Sequence, residues 1–124
     1  MDNDNLRDEL KKAKAWAKIN LVGKRVYHKD IEADIILTKK GIEHSLYVRA
    51  NFIKIELIYN ALDLIESSKL SFKEKDKKER NDIKNIYKLM TTFKHNKKKH
   101  TIYIVIRETE YGHLFYDMGI IKKP

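Results

Sequence analysis

Thr101-Ile102-Tyr103-Ile104-Val105-Ile106-Arg107-Glu108-Thr109 is the stretch on which the fold turns. Its side chains are mostly β-branched or aromatic, and Ile102, Ile104 and Ile106 alternate with Tyr103, Val105 and Arg107. A period of two places the isoleucines on one face of a strand and Tyr103 and Arg107 on the other. On the N-terminal side, Ile83 to Lys94 alternates well enough for a second strand. On the C-terminal side, Leu114 to Ile120 supplies a third. His95 to Lys99 and Thr109 to His113 read as the connecting hairpin loops. Leu70 and Phe72 suggest a short strand, followed by a charged loop through Arg80. The second half of the chain is thus expected to be an antiparallel meander of about four strands.

The first half reads differently. Leu6, Leu10, Ala13 and Ala17 recur at helical spacing behind Asn3 or Asp4 as a cap, so a helix is expected over about residues 4–20. Trp16 lies beside that stripe as a core anchor, and Leu21-Val22-Gly23 ends the helix. Val26-Tyr27-His28 reads as a short extended piece, and Ile35-Ile36-Leu37-Thr38 as a buried strand closed by a polar loop and Gly41. Ile55, Ile58, Ala61, Leu62 and Ile65 form the apolar stripe of a long second helix over about residues 51–67, with an earlier turn starting near Ile42. Helices first and a meander last mean an α+β fold, one face of the sheet covered by helix. At 124 residues the chain is a single domain, 1–124, whose core runs from about residue 26 to 121 behind the N-terminal helix.

Composition narrows the setting. There is no Cys, which excludes disulfides, thiolate metal sites and a cysteine nucleophile and fits a reducing, cytoplasmic location. No apolar run approaches a membrane span, and Met1-Asp2-Asn3-Asp4 is unlike a signal peptide, so no membrane partner is expected. Lys and Arg number 27 against 18 acids, a net charge of +9 that attracts polyanions. The surplus is unevenly spread: Lys94, Lys97, Lys98, Lys99 and Arg107, with His95 and His100, follow one another without an intervening acid. The mixed-sign Lys73–Arg80 stretch reads instead as a solvated loop. Spacings for HExxH or EF-hand metal sites, Walker loops, dinucleotide fingerprints and nucleophile elbows are absent, so neither cofactor nor metal is expected.

Several stretches carry a family likeness: Trp16-Ala17, Asn20 to Lys24, Ile35 to Ser45, Leu62 to Ser67, and Tyr103 to Glu108. Together with the element order, they resemble the barnase/EndoU/colicin/RelE-like nuclease fold, in the phage-associated branch found in head-morphogenesis and large polyvalent proteins. The resemblance covers nearly the whole chain, although few fixed residues define such nucleases. It implies a metal-independent endoribonuclease acting on RNA such as tRNA or mRNA. It also implies a toxin-like or phage-linked role, with an acidic inhibitor or immunity protein as partner.

Cleavage through the ribose 2′-OH needs a proton acceptor near that hydroxyl, a proton donor near the leaving 5′ oxygen, and cations around the phosphorane. His44, just past a strand end and Gly41, is the first candidate for proton transfer, and the resemblance points to the same position; the plainer reading is a solvated or capping histidine. Ser45 would hold a phosphate oxygen or cap a helix. Thr38 and Lys40 flank the same loop as phosphate contacts, and Arg49 would join them about one turn beyond Ser45 if that stretch is helical. Arg107 suits a phosphate clamp, with Tyr103 beside it for a base; its plainer reading is an ion pair with a carboxylate such as Asp117. Tyr116 would donate a hydrogen bond or stack on a base, or sit in the core. His95 and His100 bracket the Lys97-Lys98-Lys99 hairpin and read first as tuning a charged loop, with His95 as a reserve acid and Lys97 and Lys98 as phosphate contacts. His28 and His113 are read as surface residues. Two other classes share these features: a nucleic-acid-binding module that does not cut, and a structural or interaction domain of a phage-encoded protein.

Overall fold

The computed structural model describes residues 3–75 and 83–122. Within them the chain runs α1 (Asn3–Asn20), β1 (Arg25–His28), β2 (Ala33–Ile36), α2 (Lys39–Tyr47), α3 (Phe52–Tyr59), α4 (Ala61–Ser67), β3 (Lys69–Lys75), β4 (Ile83–His95), β5 (Lys98–Thr109) and β6 (Leu114–Ile121). The class is α+β. The strands form one mixed sheet in the order β1-β2-β6-β5-β4-β3. β3 to β6 are the expected antiparallel meander. β2 extends it by pairing parallel to the start of β6, at Leu114 and Phe115, and β1 pairs antiparallel to β2. The two extended segments read near Val26 and Ile35 thus join the expected four-strand meander in one six-stranded sheet, a pairing the sequence did not show.

Alternation along β5 assigns the faces as read from the sequence. Ile102, Ile104 and Ile106 are buried with Leu89, Tyr87, Leu114 and Tyr116 against the helices, while Tyr103 and Arg107 stay partly exposed. α1 packs on α2 and α3, where Trp16 meets Tyr59 with ring centroids 4.9 Å apart. Asn3 and Asp4, expected as its cap, lie inside α1.

The single long helix expected over residues 51–67 is two, α3 and α4, and a separate α2 precedes them. Asn60 stands at the break, its side-chain amide donating to the Glu56 carbonyl at 2.8 Å. Between α2 and α3, Arg49 takes a left-handed conformation (φ +53°) and the Asn51 side chain caps α3 by accepting from Lys54 N at 2.9 Å. The hairpin read over His95 to Lys99 is tighter than expected. β4 and β5 pair out to His95 and Lys98, leaving only Asn96 and Lys97 in the turn, both with positive φ as in a type I′ hairpin. His28 is fully buried rather than at the surface. Its Nε2 lies 2.9 Å from the Ser68 carbonyl, to which it donates, tying β1 to the end of α4. Of the charged loop through Arg80, residues 73–75 belong to β3 and the rest lies outside the described residues.

The closest approach of helix to sheet is that of α2 to β6. A Cβ built on Gly41 would overlap the Tyr116 carbonyl oxygen, so only glycine lets the first turn of α2 seat there. One turn on, Ser45 Oγ and Tyr116 OH are 2.7 Å apart, and Gly119 N donates to Ser45 Oγ at 3.1 Å. Both hydroxyls are buried, so their bonds to each other and to the strand replace those that water would make.

Two outcomes follow from this seam. Gly41→Ala forces α2 away from a backbone atom that cannot rotate aside, and should lower stability by about 1–3 kcal/mol in urea melts. Burial pushes the Tyr116 phenol up to about 12 from 10.0. Its contribution is therefore intact below pH 10 and is lost as pH rises toward 12, where only the unfolded chain has released the proton. Tyr116→Phe should be less stable than the parent at pH 7 by about 1 kcal/mol. The deficit should shrink steadily in melts taken between pH 9.5 and 11; a deficit independent of pH would contradict the assignment.

Candidate active site

Register errors along β6 create the site. Val105 pairs with Met118 and Ile106 with Tyr116, which leaves Asp117 as the extra residue of a β-bulge. Such an insertion re-aims a side chain that strict alternation would send elsewhere. Two groups from other elements converge on the Asp117 carboxylate. His44, on the last turn of α2, places Nδ1 3.2 Å from Oδ1. Arg107, on β5, places Nη2 3.0 Å from Oδ2, an ion pair without hydrogen-bond alignment. Side-chain exposure rises from 15% at Asp117 through 22% at Arg107 to 39% at His44. The carboxylate is thus the sheltered hub, and the imidazole the part most open to solvent.

The chemistry of this trio follows from the donors and acceptors. A neutral His44 that donates Nδ1–H to Asp117 keeps a free lone pair on Nε2, the arrangement of a proton acceptor held in one tautomer by a carboxylate. Arg107 holds positive charge beside it, and its Nη1 is buried with no hydrogen-bond partner. A buried N–H without an acceptor is costly. The ion pair between Arg107 and Asp117 is the plainer reading of Arg107 weighed from the sequence, and it is present together with the His44 contact.

The other expected site residues separate into three groups. Ser45 and Tyr116 are withdrawn into the α2–β6 seam, hydrogen-bonded to each other and buried, so neither presents its hydroxyl to a substrate. Thr38 is the N-cap of α2, its Oγ1 accepting from Gly41 N at 3.1 Å, which engages the oxygen expected to contact phosphate. Lys40 is exposed one helical turn before His44, on the same side of α2. Tyr103 shares the outer face of β5 with Arg107 but lies four positions away, roughly 13 Å at strand rise. Arg49 is exposed immediately beyond the C-cap of α2. That position is usually Gly, because a left-handed backbone costs other residues about 1 kcal/mol.

His95, Lys97 and Lys98 do not join the site. Lys98 lies nine positions before Arg107 along β5, a separation of roughly 30 Å at strand rise. His95 instead pairs through Nδ1 with Glu56 Oε2 of α3 at 2.9 Å. Two residues matter here that the sequence reading did not single out as functional. Asp117 had one visible signal, a carboxylate in the otherwise uncharged run Leu114 to Ile121, where an acid needs a partner. Lys54 had none, since on a helix a lysine reads as solvated. In fact it is buried, with Nζ 2.6 Å from the Val48 carbonyl.

No helix among the described residues is long and apolar enough to cross a membrane. No curated protein and no solved structure matches the chain significantly. One family model does, over residues 4–116, which takes in α1 through the greater part of the sheet. Its description names an association with large polyvalent proteins and no activity. The chain belongs to the family of large polyvalent protein-associated domain 3.

Proposed function

We propose that the domain is a metal-independent endoribonuclease that cleaves RNA by attack of the ribose 2′-OH on the adjacent phosphate. The observation that carries the reading is the convergence of His44 and Arg107, from two separate elements, on the single carboxylate of Asp117. His44 Nε2 accepts the proton of the 2′-OH as the 2′ oxygen bonds to phosphorus. Arg107 stabilises the charge gathering on the non-bridging oxygens. The bond to the 5′ oxygen breaks, that oxygen takes a proton from water, and a 2′,3′-cyclic phosphate remains. Asp117 is a positioning residue: it fixes the imidazole tautomer and stabilises the imidazolium once formed. Lys40 holds a neighbouring phosphate, and Tyr103 a base further along the strand.

The surplus of nine positive charges supports a polyanionic substrate. Helices ahead of an antiparallel meander support reading the domain as a variant of the barnase/EndoU/colicin/RelE-like nucleases, and the family supports a phage-linked setting within a larger polyvalent protein. One observation favours a second reading, a module that binds nucleic acid without cutting it. Asp117 already partners both His44 and Arg107, as in a purely structural ion-pair cluster.

The test is incubation of the purified protein with labelled single-stranded RNA in EDTA and analysis of product ends. Cleavage yielding 2′,3′-cyclic phosphates is expected. His44→Ala should slow it by about 10²–10⁴-fold, and Arg107→Gln by roughly 10²–10³-fold. Asp117→Asn should lower the rate while leaving substrate affinity nearly unchanged. Salt-sensitive binding without products would establish the second reading, and cleavage indifferent to His44→Ala would overturn the mechanism.

A further inference from the structure

We infer that the groove between the α2–α3 connection and the end of β6 is a binding subsite for single-stranded RNA, receiving nucleotides that flank the cleaved phosphate. This rests on the nuclease reading for the identity of the polyanion, though not for the anion chemistry itself. The groove has a volume of about 600 Å³, within the usual ~300–1,000 Å³ range of small-molecule sites. Its charged or titratable lining is Arg49, Lys54, His100 and Lys122, with no carboxylate among the lining residues, and Met118 and Ile120 contribute to an apolar floor. Cations around an apolar trough match a nucleotide, whose base seeks a surface to lie on and whose phosphate seeks charge.

Both walls begin at the His44 cluster. Val48 follows His44 by one turn, its N–H donating to the His44 carbonyl at 3.1 Å, and Met118 is the residue after Asp117. Lys122 stands five positions beyond Asp117, roughly 17 Å at strand rise, so the groove continues the path of a strand laid across His44.

One feature of the groove is costly without an anion, and a second carries a strain that the packing alone does not call for. Lys54 is a buried ammonium with three protons and one short acceptor contact, to the Val48 carbonyl. Burial first, and the neighbouring Arg49 charge second, hold its pKa below the ordinary lysine value. A phosphate beside both cations would oppose each effect. Arg49 keeps an exposed basic side chain on a strained left-handed backbone, where glycine would be relaxed. Strain of this kind is concentrated at binding and catalytic sites.

The test uses the full chain and a labelled single-stranded 2′-O-methyl oligonucleotide, which has no 2′-OH to attack, with affinity read by fluorescence anisotropy across a salt series. Arg49→Gly should raise Tm yet weaken binding about 5–10-fold and reduce the slope of log K against log salt by about 1. Lys122→Gln, on an exposed side chain, should weaken binding with unchanged Tm. Affinity and salt slope unchanged in both variants would overturn the subsite; if unmodified RNA were still cut through His44, the nuclease reading would stand without it. Weakened binding in both variants, with no cleavage of unmodified RNA by the parent, would keep the subsite and remove the nuclease. Displacement by poly-glutamate at equal charge concentration as effective as by unlabelled oligonucleotide would also overturn the RNA assignment, in favour of an acidic protein partner.

Discussion

The seating of α2 on β6 is the constraint from which the rest of the site follows. Gly41 brings the helix against the strand backbone, and the Ser45–Tyr116–Gly119 hydrogen bonds hold it there one turn later. Only in that position can His44 reach the bulged Asp117, and only the bulge turns Asp117 toward both His44 and Arg107. The contact of His44 with Asp117, at 3.2 Å, depends on that seating. The polar seam and the polar cluster therefore divide the labour: the buried pair sets geometry, and the partly buried trio opens to solvent mainly at His44.

Much of the sheet was legible from alternation alone. Ile102, Ile104 and Ile106 face the helices and Arg107 faces away, as the period of two requires. The helical region was legible as helix but not as three helices. Its breaks rest on a left-handed Arg49 and on Asn60, neither of which carries the usual Gly or Pro signal. Thr38 and Asn51 are residue types that cap helices, yet Thr38 was read as a phosphate contact, and its oxygen is engaged by Gly41 N instead. Of the candidate site, His44 and Arg107 were visible as residues, while their meeting was not. It depends on a register slip in β6, which leaves no mark in composition or period. Ser45, Tyr116 and His28 show the converse, polar side chains whose burial depends on long-range docking, at separations of 71 residues for Ser45–Tyr116 and 40 for His28–Ser68.

Charge on this domain is organised more than its net value implies. The lysines of the β4–β5 turn project far from the His44 cluster, whereas Arg49, Lys54 and Lys122 border the groove that begins beside it. A net positive field favours polyanions from any side, and on the proposed reading the local arrangement decides where one is held. A hairpin rich in lysine is the conspicuous feature of the sequence. The less conspicuous cations beside β6 are the ones set against an apolar floor.

β3, one of the two edge strands of the sheet, has a bearing on how the molecule behaves in a crowd of its own kind. A strand at the rim of a sheet offers unpaired amides and carbonyls to any chain that drifts alongside. Here the rim carries Lys69, Lys73 and Lys75, and its pairing with β4 is interrupted between Leu70 and Phe72. Two such rims meeting would bring like charges together along mismatched, twisted backbones. That edge is thereby guarded against pairing with a second copy, even though Phe72 lies exposed on it.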